Sequence, residues 1–123
     1  MIEQAVSTLN RYFEDRIADC SRLEKELIAD ERRDEATFEK IRANVYDIFR
    51  TILSVAEKVG KGDPEAVRNF FVQKTEQIPS TWAASYEKAQ QHNNAVGMQI
   101  EQIKLDTIDE IKKQFAKVWE EEK

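Results

Sequence analysis

The run Gly60-Lys61-Gly62-Asp63-Pro64 constrains this chain more than any other feature. It lies almost at the midpoint of 123 residues, and outside it the only glycine is Gly97 and the only proline Pro79. Glycine enters left-handed backbone without steric cost, while proline fixes φ and lacks an N–H, so these two residues punctuate helices. The chain therefore reads as two long helical arms joined by one turn. Gly60 is placed to be the left-handed residue after a helix end. Asp63 follows as an N-cap, with Pro64 at the first helical position and Glu65 in the first turn.

The first arm carries apolar residues at Ile2, Val6, Leu9, Phe13, Ile17, Cys20, Leu23 and Leu27, the steps of three and four that mark one helix face. A second series, Phe38, Ile41, Val45, Ile48, Ile52, Val55 and Val59, alternates three and four without a fault. Between them the polar stretch 29–36 contains neither an apolar anchor nor a breaker. The eleven residues from Leu27 to Phe38 make about three turns, so the two stripes stay in phase. That phase favours one helix over 2–59; the other arrangement folds the chain back at 29–36 with Asp34 as N-cap. In the second arm Val67, Phe71, Ile78, Trp82 and Tyr86 continue the pattern, followed by Val96, Ile100 and Ile103 and, after a slip, Ile108, Ile111, Phe115 and Val118. Pro79 predicts a kink or break near Ile78, with Ser80 or Thr81 capping a long final helix.

Folding the arms about the turn sets 29–36 opposite 87–94, where Gln90-Gln91-His92-Asn93-Asn94 is equally polar. Arg32, Arg33, His92 and Asn93 are thus expected at a shared polar waist, or where polar segments meet at one end of a bundle. Doublets such as Tyr12/Phe13, Ile48/Phe49, Ile52/Leu53 and Phe70/Phe71 make the apolar face wider than a two-helix seam. Four helices must meet around the core. The expected fold is all-α: an antiparallel up-and-down bundle spanning 1–123 as a single domain. It forms within one chain or by dimerisation of helical hairpins, coiled-coil fashion. A fully extended hairpin would reach about 87 Å and leave a long apolar strip, which implies a homodimer.

Nineteen basic and twenty-four acidic residues are interleaved throughout. No basic stripe stands out, so the charge pattern speaks against nucleic-acid binding, although Arg32, Arg33, Lys40 and Arg42 keep a nucleic-acid-associated regulator as a third alternative. No stretch reaches a membrane span or the pattern of a signal peptide, and a cytoplasmic protein is expected. The trailing Glu120-Glu121-Glu122-Lys123 opposes the helix dipole and predicts fraying.

With one cysteine and one histidine, no catalytic residue, metal ligand or cofactor site is expected. Cys20 reads as a small buried hydrophobe on the apolar stripe. Gly60-Lys61-Gly62 lacks the preceding strand of a phosphate loop. Phe70, Phe71, Trp82 and Tyr86, around Pro79, form the densest aromatic region and the candidate pocket for a ligand or partner. The expected function is a non-enzymatic protein-interaction module, self-associating as a dimer. It would serve as an adaptor, an assembly factor or a chaperone-like partner. The alternative is a bundle that binds a small hydrophobic ligand near Pro79.

Overall fold

A computed structural model describes residues 2–121 and shows four antiparallel helices within the chain: α1 (Ile2–Ala29), α2 (Arg33–Gly60), α3 (Pro64–Gln91) and α4 (Ala95–Glu121). They begin at residues 2, 33, 64 and 95, and each spans about 42 Å at 1.5 Å per residue. Three-residue turns join them, so the arrangement is up-down-up-down. α1 packs on α2 and α3 on α4. α2 and α4 close the short diagonal, while α1 and α3 scarcely touch. No described helix is long and apolar enough to cross a membrane. Glu122 and Lys123, at the acidic end, lie outside the described residues, and α4 is helical to Glu121.

The long first helix expected over 2–59 is not formed. The chain folds back at 30–32, where the αL residue is Glu31 (φ 61) rather than a glycine. The Glu31 N–H donates to Ile28 O and the Arg32 N–H to Leu27 O, a paired cap that satisfies the last carbonyls of α1. Backbone bonding thus ends this helix without a breaker. α2 starts after Arg32 rather than Asp34 and has no side-chain cap. The third turn repeats the device, with Asn93 (φ 54) left-handed and the Asn94 N–H bonded to Ala89 O.

The expected break at Pro79 is also absent, since α3 runs unbroken to Gln91. Pro79 is buried there, and the hydroxyls of Ser80 and Thr81 donate to Gln77 O and Ile78 O in the turn around it. Those two residues do not open a new helix. The last helix instead starts after Asn94, whose Oδ1 accepts from the Gly97 N–H at 3.0 Å.

The central turn forms as expected at Asp63, which accepts from the Glu65 N–H at 3.1 Å ahead of Pro64. Gly60 does not. It is the last residue of α2, and Lys61 (φ 49) and Gly62 (φ 84) take the left-handed backbone. Gly60 is required for close approach: a Cβ there would lie 2.5 Å from Val67 Cγ2 and 3.1 Å from the Val67 backbone nitrogen.

The core occupies the half of the bundle nearest this turn. Ala5, Leu9 and Phe13 meet Phe49, Leu53 and Ala56, Val67 and Phe71, and Ile108 to Trp119. At its centre Phe71 stacks on Phe115 at 4.3 Å between ring centroids, Phe115 stacks on Trp119 at 5.0 Å, and Phe49 meets Phe71 edge-on. Towards the other end the apolar residues grow more exposed, among them Leu23, Ile28 and Val96. Gly60→Ala is expected to lower stability by about 1–3 kcal/mol, the cost of overpacking a site closed by the stiff Val67 side chain and the backbone behind it. Denaturant titration followed by helicity checks this, and an unchanged midpoint would contradict the close-packing role.

Candidate functional site

Three regions carry chemistry or exposed apolar surface. The first is a polar cluster halfway along the bundle. Tyr12 and Arg16 project from α1, one turn apart, towards Tyr46 of α2 and Glu110 of α4. The Tyr12 hydroxyl donates to Glu110 Oε2 at 2.9 Å, and Arg16 Nη2 bonds Glu110 Oε1 at 3.1 Å. Tyr46 donates to the same carboxylate and accepts from Arg16 Nε at 3.3 Å. The Arg16 guanidinium lies 5.6 Å over the Tyr46 ring. Burial, then the bond to Glu110, raises the Tyr46 phenol to about 12, and the same causes push Tyr12 upward. Both tyrosines are neutral donors holding one carboxylate, and Arg16 compensates its charge.

This arrangement closes the polar edge of the core; it offers no nucleophile with a base. Sequence reading missed it. The signal was present, since folding the arms sets Tyr12 near residue 111, beside Glu110. Cys20 follows on the same face of α1, buried as expected. Burial, then the neighbouring Glu39 carboxylate, raises its thiol to about 11. His92 is far from it, exposed at the C-cap of α3. Among the described residues no group of three or more His, Cys, Asp or Glu is placed to hold a metal ion.

The second region is the expected aromatic pocket, and the structure separates its members. Phe71 is fully buried in the core stack. Phe70 is half-buried, with Lys74 Nζ 5.4 Å over its ring. Trp82 and Tyr86 share a face one turn apart, but Trp82 stands eleven residues beyond Phe71, about 16 Å along the helix. Lys104 Nζ of α4 lies 5.8 Å over the Trp82 ring. The four aromatics therefore do not line one cleft. A cleft of about 270 Å³ does open between α3 and α4, walled by Phe71, Val72, Thr75, Phe115, Ala116 and Trp119. It lies nearer the central turn than Pro79, and it falls just short of the ~300–1,000 Å³ of common ligand pockets.

The residues assigned to the polar waist sit in the two turns at the far end of the bundle. Arg32 and Arg33 open α2, and His92 and Asn93 close α3. Arg32 is paired with Glu35, and Arg42 with Glu39, so these guanidinium groups are engaged by carboxylates of their own helix.

The third region went unrecognised as surface. The faultless series Phe38 to Val59 leaves the core as α2 proceeds. Val45 is buried, but Ile48 and Val55 are 40% exposed and Val59 is 58% exposed. Tyr46, Phe49, Leu53, Ala56 and Gly60 face the interior instead. The buried series has the same alternation of three and four, set one residue further along, so the two rows run side by side about 100° apart around the helix. Ile48, Ile52, Val55 and Val59 thus form an apolar stripe beside the core, with Ile52 and, on α3, Phe70 packed partly against it.

No family model matches the chain, and neither a curated protein nor a solved structure matches it.

Two outcomes are expected. Cys20 at pH 8 should react with a thiol reagent about 100-fold more slowly in the folded protein than in the unfolded one, because a thiol raised from 9.0 to about 11 leaves far less thiolate. Equal rates would show the thiol to be accessible. In addition, the folded-state values of Cys20 and Tyr46 lie above the ordinary 9.0 and 10.0. Their neutral forms are favoured by folding, so their stabilisation is complete below those values and is lost as pH rises. Stability should begin to fall near pH 9, continue to fall towards pH 12, and start later in Cys20→Ala. Denaturation midpoints across that range test the assignment.

Proposed function

We infer that this chain is a non-enzymatic helical module that acts by protein contact, itself included, as an adaptor, assembly factor or chaperone-like partner. The observation supporting this is the stripe Ile48, Ile52, Val55 and Val59, held on a rigid helix next to a complete core. A strict heptad repeat suits a helical seam between partners, and a seam left in water is unfavourable unless something covers it. The polar cluster has a structural reading: the bonds of Tyr12, Tyr46 and Arg16 to Glu110 join α1, α2 and α4. A cytoplasmic setting belongs to the same proposal and is in keeping with a free thiol at Cys20.

A photo-reactive residue placed at position 55 in cells tests the reading, with position 113, exposed on α4, as the control. Adducts to protein, a copy of the chain or another, are expected at 55 and not at 113. Absence of any adduct at 55 would overturn it.

A further inference from the structure

We propose that the α2 stripe is an isologous interface, occupied by the same stripe of a second copy running antiparallel. This rests on the contact-module reading and names the occupant. Two observations carry it. The spacing Ile48–Ile52–Val55–Val59 runs four, three, four, so it is the same read in either direction. A two-fold axis between Ile52 and Val55 therefore sets Ile48 against Val59 of the second copy and Ile52 against its Val55. Each contact joins one larger and one smaller β-branched side chain, which lets the two surfaces interdigitate.

Charge agrees with the same operator. Asp47 stands near the N-terminal end of the stripe and Lys58 near its C-terminal end, both exposed on its solvent side. Antiparallel pairing sets each Asp47 on the same flank as the Lys58 of the other copy and two residues from it in height, twice by symmetry, whereas a parallel pair leaves them on opposite flanks and eleven residues apart in height. Within its own chain Asp47 pairs with Arg50 one turn along, an exposed contact of little worth.

Phe70, brought to the height of Val55 by the central turn, extends the apolar face onto α3.

The test combines light scattering across a wide concentration range with directed cross-linking of the purified full chain. Two chain masses are expected for the wild type. Val55→Glu should weaken the dimer by at least about 100-fold, because two unpaired carboxylates would enter the seam. Its helicity should be unchanged, since residue 55 is exposed in the monomer. For register, Ile48→Cys mixed with Val59→Cys should form a disulfide between the two variants under mild oxidation, native Cys20 being buried. Ile48→Cys alone should not, because antiparallel packing leaves the two thiols about 16 Å apart along the axis, beyond disulfide reach. A rapid Ile48→Cys homodimer disulfide would overturn the antiparallel register. A single chain mass at every concentration would overturn the second copy as occupant. In that case adducts to another protein at position 55 would leave the contact-module reading standing, and their absence would remove both.

Discussion

Burial of the aromatic column Phe49, Phe71, Phe115 and Trp119 anchors the structure, because three helices contribute to it and each ring is packed by the next. Aromatic side chains bury more area than any others, so this half of the bundle holds most of the apolar driving force. The column lies close to the central turn, where Gly60 admits Val67 and draws α2 and α3 together. α1 closes the same half with Leu9 and Phe13. The fold is thus organised from one end.

The polar cluster marks where that apolar core stops. Glu110 is half-exposed at mid-bundle, and its carboxylate receives bonds from Tyr12, Tyr46 and Arg16. Those donors come from two other helices, so the cluster also holds α1 and α2 against α4. Such directional bonds specify helix register where non-directional apolar packing does not. Beyond the cluster the helices continue for several turns with less burial, ending in the two polar turns that carry Arg32, Arg33, His92 and Asn93.

The α2 helix shows how one pattern serves two surfaces. The interior row Tyr46, Phe49, Leu53, Ala56 and Gly60 and the stripe Ile48, Ile52, Val55 and Val59 share one spacing, offset by one residue and so by about 100° around the helix. Both cannot face the same core. The bundle buries the first and leaves the second on its flank, which gives a folded domain with an apolar seam already in place for contact.

Much was legible before any coordinates. The helical class, the central turn with Asp63 as cap, the burial of Cys20 and the need for four helices all follow from local periodicity and capping chemistry, which act over a few residues. Other features depended on tertiary packing. Glu31 reverses the chain without glycine because the third and fourth helices need α2 folded back beside them, a gain that exceeds the modest cost of a left-handed residue. Pro79 stays within α3 because the surrounding packing and the nearby hydroxyls hold the helix together. The faces of α2 divide because the bundle, not the repeat, chooses which side is interior. Tyr12 and Glu110 meet from 98 residues apart, and such a bond exists only once the turns have set the two helices side by side.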